Sequence, residues 1–356
     1  MKKSIILFED GKDADNYANI LTKAFKKENV RTYHFQAKSK PTDKSFSTRL
    51  VEELKKAGHP LENVALFITD RELSRMQSFT GLAEPIISDL ANQYAIPVCV
   101  YSQAQKNELL RMQSWSESKI ILDISKGFPK IAEDVKIIYK GFEEIFSRCA
   151  NIKKVLTPAE LLANILGEPE LKDRIALYGA GDQRMLGEIL PMIAASNDPK
   201  VRQRHMSRML GYWVWDSLIR FPGVLLNSSA ASSYLNIAED DFENKAAALF
   251  KKAAYTGPFS EICTLWWRHK IDAILFSEKL NKGLDYARKT MPKTKPAICC
   301  ESGKTDGAGY YCMIRKKPVC AKHSRSSISW FPPGADLARI SNSKYDELAP
   351  WLGLYN

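Results

Sequence analysis

Eighteen consecutive apolar residues occur nowhere in the 356-residue chain, so no segment reads as a membrane-spanning helix. The N-terminus, Met-Lys-Lys-Ser-Ile-Ile-Leu-Phe-Glu-Asp, turns acidic before a signal-peptide apolar stretch is complete. A cytoplasmic protein with no membrane partner is expected. Cysteine is scarce too: Cys99, Cys149 and Cys263 stand alone, while Cys299, Cys300, Cys312 and Cys320 crowd into 22 residues, which argues against a disulfide framework. Internal repeats and low-complexity tracts are missing. So are Ser/His/Asp, Cys/His and His-Glu-x-x-His arrangements, which turns the reading away from a metabolic enzyme.

What the chain does have is apolar material for a large core, 45% of its residues being hydrophobic and 26% charged, at a length that implies two or three domains. Its net charge of +11 is uneven. Residues 1–150 hold 23 Lys/Arg against 20 Asp/Glu, and the C-terminal excess comes from residues 286–325, where ten basic side chains face only Glu301 and Asp306. A local basic patch points to an anionic partner such as nucleic acid, or to a merely solvated surface.

Residues 4–8, an apolar run, Val30 to Phe35, the buried run 64–68, 96–101 and 119–122 read as strands. Helical spacing at residues 14–27, around Leu50, Val51 and Leu54, and at 82–94, 105–115 and 129–146 separates and follows them. Five near-continuous apolar strands alternating with five helices predict a doubly wound, five-stranded parallel sheet covered on both faces. From Thr157-Pro158-Ala159-Glu160, a capping-box start, the pattern becomes mostly helical, with segments at 185–195, 200–220, 228–238, 240–254, 260–277 and 278–290. The expected class is therefore α/β followed by α: an α/β domain over 1–150, a helical domain over 151–290, and a basic Cys/His zinc module with the C-terminal tail over 291–356.

The crevice of an open parallel sheet lies at the carboxyl ends of its strands. Glu9 and Asp10 follow the first strand there and Asp70 ends the third. Clustered carboxylates repel unless a hard cation such as Mg²⁺ bridges them, and that is the chemistry of an aspartyl-phosphate site. In order and placement, residues 3 to about 146 resemble the receiver domain of two-component response regulators, a flavodoxin-like fold.

The resemblance implies that Glu9 and Asp10 are the acidic pair, that Asp70 is the phosphoacceptor and shares Mg²⁺ with them, and that the Ser102 hydroxyl contacts the phosphoryl group. It also implies a histidine kinase or another protein partner upstream. Three features depart from the family: the 36–46 loop lengthens the interval between the first and third strands, Arg71-Glu72-Leu73 replaces the usual Met-Pro, and Leu122-Asp123 stands where a lysine is usual. Either Lys126 supplies that lysine from a shifted backbone, or the domain is a pseudo-receiver.

Cys299, Cys300, Cys312, Cys320 and His323 supply soft ligands in the number a tetrahedral Zn²⁺ needs. Cys320-x₂-His323 forms a chelating knuckle, Cys312 comes from the Tyr-Tyr-Cys strand, and one of Cys299 or Cys300 completes the four, with Cys300 favoured by proximity; reduced cysteines packed as small hydrophobes are the alternative. Four protein ligands would make the metal structural. Arg315, Lys316, Lys317 and Lys322 are the candidate nucleic-acid contacts, beside Tyr310 and Tyr311.

Two weaker signals are read as structure. Ile175 to Asp182 carries a Gly-x-Gly without a third glycine and reads as a loop between helices, and Ser229 to Glu243 reads as a packed helical hairpin because its second half is too acidic for a DNA groove. Trp213, Trp215, Trp266 and Trp267 read as core, and His205 and His269 have no evident acid partner. The sequence thus predicts a signal-transduction regulator, phosphorylated on a receiver-like input domain that controls an output region binding nucleic acid or a protein. An enzyme with an unread site in the helical region and a pseudo-receiver scaffold are the alternatives.

Overall fold

A computed structural model describes residues 2–36, 44–71, 73, 82–102, 119–150, 157–179, 197–305, 307–326, 328 and 331–352. Two compact units divide the chain, one of Met1–Ile152 with Leu186–Tyr212 and one of Lys153–Met185 with Trp213–Asn356, so the boundaries differ from the expected 1–150, 151–290 and 291–356.

In the first unit β1 (Lys3–Phe8), β2 (Val30–His34), β3 (Val64–Asp70), β4 (Val98–Ser102) and β5 (Ile120–Asp123) form one sheet in the order β2-β1-β3-β4-β5. Every pairing in it is parallel. The order places a topological switch point between β1 and β3, as in flavodoxin-like folds. Helices α1 (Ala14–Ala24), α2 (Phe46–Lys56), α3 (Glu84–Tyr94) and α4 (Phe128–Ala150) accompany it. The helix expected at 105–115 lies outside the described residues.

Side chains alternate across the strands. Ile6, Phe8, Phe67, Val98 and Val100 form one core with Leu50 and Leu54 of α2 and Ile87 and Leu90 of α3. Tyr101 leaves β4 on the other side, where its ring meets Phe128 at the start of α4.

A helix expected in the middle domain belongs to this unit instead: α7 (Pro199–Tyr212), numbered after α5 (Pro158–Leu166) and α6 (Lys172–Gly179) of the second unit. It packs on α4, where Gly211 leaves room for the Phe142 ring; an added Cβ would lie 2.1 Å from that ring. The Tyr212 hydroxyl accepts from Val98 N at 2.8 Å, and the Arg204 guanidinium donates to the carbonyls of Glu62 and Val64. These bonds satisfy backbone groups at the amino ends of β3 and β4, and no sequence period encodes them.

In the second unit the capping box starts α5 as expected: Thr157 Oγ1 accepts from Glu160 N, and Glu160 accepts from Thr157 N. Residues Lys172–Gly179 are helical, so Ile175 to Gly179 is neither strand nor loop. Trp213–Ile219 wind as a π-helix. Strands β6 (Leu225–Asn227) and β7 (Leu265–Trp267) form an antiparallel pair, each followed at once by a helix, α8 (Ser228–Leu235) and α10 (Arg268–Ser277). Helix was expected throughout 260–277, but Leu265-Trp266-Trp267 is a strand, because a short apolar run is equally at home in either element.

Helices α8 and α9 (Glu239–Asn244) make the expected hairpin around the left-handed Asn236. A 3₁₀ stretch, Ala246–Ala253, and α11 (Gly283–Thr290) complete the helical part. A four-stranded sheet follows, ordered β10 (Ser324–Arg325), β11 (Ala338–Ser341), β8 (Tyr310–Cys312), β9 (Lys317–Val319), and α12 (Asn342–Leu352) ends the described chain. This sheet is not a separate module. The buried small residues of α8 let it approach β8 closely, and Ser233 Oγ donates to the Tyr310 carbonyl at 2.5 Å.

Candidate functional site

Parallel registers align the strand ends. Phe8 pairs with Thr69, Asp70 with Tyr101, and Ser102 with Asp123, so Glu9, Asp70, Ser102 and Asp123 line the carboxyl edge. Glu9 is buried there, while Asp10, Asp70 and Ser102 are half-buried. Lys126, in the 3₁₀ turn Ile124–Lys126, is exposed.

Both Glu9 oxygens are engaged. Oε1 accepts from Gly11 N at 2.7 Å, and Oε2 accepts the Tyr101 hydroxyl. The neighbouring backbone is held as well, since the His34 ring nitrogen Nε2 lies 2.9 Å from the Glu9 carbonyl. Tyr17 completes the enclosure, stacked on Phe128 at 4.0 Å and edge-on to Tyr101 at 6.3 Å. Burial pushes both phenols up, and Glu9 and Asp70 add to each shift. Both hydroxyls therefore stay protonated donors at neutral pH. The sequence reading overlooked Tyr17 and Tyr101, although the last strand residues before Ser102 were the place to look.

A cation on this edge needs carboxylate oxygens that converge. Among the described residues two groups of three side chains bring ligand atoms within 4.8 Å of one another, Cys299, Cys320 and His323, and Glu168, Glu170 and His269. Glu9, Asp10 and Asp70 do not form a third. With Glu9 tied to Tyr101 and Gly11, the three carboxylates are not gathered on one point.

The expected four-ligand zinc site is divided. Cys299 joins Cys320 and His323, whereas Cys312 lies with Cys300, whose thiol donates to it and holds Cys312 down at about 5. The same bond pushes Cys300 up. Cys312 Sγ also accepts from Arg315 N and Ser341 N, at 3.4 and 3.3 Å. Lys316, Lys317 and Lys322 are exposed. Arg315 is committed within the unit, to Ser341 Oγ, Ser343 Oγ, the Cys300 carbonyl and Glu301.

The third cluster joins residues about a hundred positions apart. Glu168 is buried and receives the Lys270 ammonium on Oε1, while its Oε2 lies 3.0 Å from His269 Nε2, so His269 does have acid partners. Burial pushes the Glu168 carboxyl up, and the hydrogen bonds to Lys270 and Glu170, followed by the charges of Lys270 and His269, more than offset it. With an ammonium already neutralising Glu168, the cluster closes as an ion-pair network. Asp216, buried on the π-helix, is pushed up to about 7 by burial.

No protein-family model matches the chain, and no curated protein sequence matches it.

Proposed function

We propose that the protein is a signal-transduction regulator in which the N-terminal unit is a receiver-like input and the second unit is the output. The observation that carries this reading is the strand order β2-β1-β3-β4-β5, all parallel, with Glu9, Asp10 and Asp70 at the carboxyl ends flanking the β1/β3 switch point. Ligand sites of open α/β sheets gather at that point. In this reading an Asp70 oxygen attacks the phosphorus of an acyl-phosphate donor, the donor departs as its carboxylate, and Ser102 and Lys126 contact the new phosphoryl group. The protonated Tyr17 and Tyr101 then sense its charge. Nucleic acid or a protein meets the output through Lys316, Lys317 and Lys322.

The engagement of Glu9 by Tyr101 favours a second reading, a pseudo-receiver that docks a partner without phosphorylation. One experiment separates the two. Acetyl phosphate or beryllofluoride is added with Mg²⁺ to wild type and Asp70→Asn, read by intact mass and tryptophan fluorescence. A response confined to wild type supports the phosphorylated receiver; identical traces establish the pseudo-receiver.

A further inference from the structure

We infer that the second unit binds one zinc ion on Cys299 Sγ, Cys320 Sγ and His323 Nδ1, with the fourth position open to an exchangeable ligand, and that Cys300 and Cys312 take no part. This stands independently of the receiver reading and differs from the closed, four-ligand site that the spacing predicts.

Local backbone brings the three ligands together. Cys320 precedes the 3₁₀ turn Ala321–His323, and in such a turn side chains three apart eclipse, so Cys320 and His323 point the same way. The turn closes through His323 N to the Cys320 carbonyl at 3.2 Å, and Cys320 Sγ lies 3.0 Å from His323 Nδ1. Cys299 is presented by a second turn, closed by Gly303 N to the Cys299 carbonyl and Cys299 N to the Lys304 carbonyl, both at 2.9 Å. Gly303, at φ +70, supplies the left-handed residue that this turn requires.

All three ligand atoms lie within 4.8 Å of one another, and both sulfurs are buried. A tetrahedral zinc with bonds of about 2.3 Å to sulfur and about 2.0 Å to nitrogen has edges of roughly 3.5 to 3.8 Å, which these positions meet with small adjustments. Cys320 N donates to Cys299 Sγ at 3.4 Å, a contact suited to a thiolate ligand.

Register sets Cys312 apart from Cys320, although both pack in one cluster with Cys299. Cys312 pairs with Lys317, whereas Cys320 continues the strand beyond Val319, the partner of Tyr310. Cys312 and Cys320 are therefore three residues apart along the ribbon, on the order of 10 Å. Cys299 Sγ lies with Cys320 and His323, whereas Cys300, whose backbone N donates to the Pro318 carbonyl, is not part of that group. Among the described residues no further His, Cys, Asp or Glu joins the three, which leaves the Cys₂His set and open position typical of exchangeable rather than purely structural zinc.

The test uses the full chain, purified reduced, with metal content measured and zinc replaced by Co²⁺. Wild type should hold about one equivalent, with sulfur-to-cobalt charge transfer of two thiolates, and added azide should shift the cobalt bands. Cys299→Ser, Cys320→Ser and His323→Ala should lose most of the metal, while Cys300→Ser and Cys312→Ser keep it. Three thiolates in the wild-type spectrum, bands insensitive to azide, or release of metal by Cys312→Ser would overturn the assignment, as would metal-free protein with a Cys299–Cys320 disulfide. The wild-type spectrum decides even if a variant fails to fold.

Discussion

The Tyr101 hydroxyl reaches across β3 to the Glu9 carboxylate, joining the end of β4 to the end of β1. The bond fixes a buried acid at the switch point of the sheet and makes Tyr101 the most informative residue there to alter. Tyr101→Phe leaves one oxygen of that buried carboxylate without its donor, at a cost of about 1–3 kcal/mol. Urea denaturation of Tyr101→Phe, Glu9→Gln and the double variant should give a coupling of about 0.5–3 kcal/mol. Strictly additive losses would show that the two side chains do not interact.

Asp216 sets a pH dependence of stability. Burial pushes its carboxyl up to about 7, Arg220 pulling the other way, while the unfolded value is about 3.9. Between those values the folded chain keeps a proton that the unfolded chain releases, so stability falls as pH rises through this interval and stays low above it. Asp216→Asn removes the effect. Its advantage over wild type should be small near pH 4 and grow toward pH 8, by at most roughly 1.4 kcal/mol per pH unit of the interval; a difference independent of pH contradicts the assignment.

Glu168 acts in the opposite window. Its carboxyl lies below the usual range because hydrogen bonds to Lys270 and Glu170, aided by the charges of Lys270 and His269, outweigh the effect of burial, so its contribution is present above the unfolded value of about 4.3 and is lost as pH falls through the lower folded value. Glu168→Gln should therefore cost about 1–3 kcal/mol at pH 7 and much less at pH 3. Denaturation curves at the two pH values check this, and an equal cost at both would show that charge is not what matters.

Gly223 is held by a close approach of backbone. A Cβ there would lie 2.2 Å from the Gly334 carbonyl oxygen and 2.3 Å from the Tyr178 hydroxyl, which accepts from Val224 N and donates to the Phe221 carbonyl. Gly223→Ala should destabilise the second unit by about 1–3 kcal/mol or more. Gly167→Ala is the comparison, since Gly167 has open space and only its φ of +79 to oppose a side chain. Thermal melts should rank Gly223→Ala as the more damaging; the reverse order would mean that the contact relaxes at little cost.

The central strands β1, β3 and β4 were legible because each is a short, largely apolar run buried on both faces, whereas the edge strand β2, Val-Arg-Thr-Tyr-His, is only half-buried. The placement of α7 was not legible, since Arg204 and Tyr212 dock through hydrogen bonds to backbone, which leave no periodic trace. Of the last sheet only the Tyr-Tyr-Cys strand was legible, the others being two to four residues long and too short for a period to register. Among candidate residues, position at a strand end was enough to find Glu9 and Asp70, whereas the pairing of Glu168 with His269 depends on long-range folding. The adjacent cysteines show the limit most directly, because spacing alone does not say which of Cys299 and Cys300 faces His323, and the turn that presents Cys299 does.

The basic segment makes the last prediction. Arg315 already answers to Glu301, Ser341 and Ser343, and Lys316, Lys317 and Lys322 are the exposed lysines through which a nucleic-acid contact is proposed. Phosphate contact releases counterions, and affinity for an unrelated set of duplexes should fall steeply with salt, with the slope reduced by about one per lysine removed. Lys316→Glu with Lys317→Glu should weaken all sequences about equally, as expected for backbone rather than base readout. Arg315→Ala should instead lower the melting temperature and leave the salt slope nearly unchanged. Electrophoretic shift assays from about 50 to 200 mM salt, the range over which phosphate contacts lose most of their affinity, read the slopes directly. No retained DNA or RNA at the lowest salt would assign the lysines to a protein partner or to plain solvation.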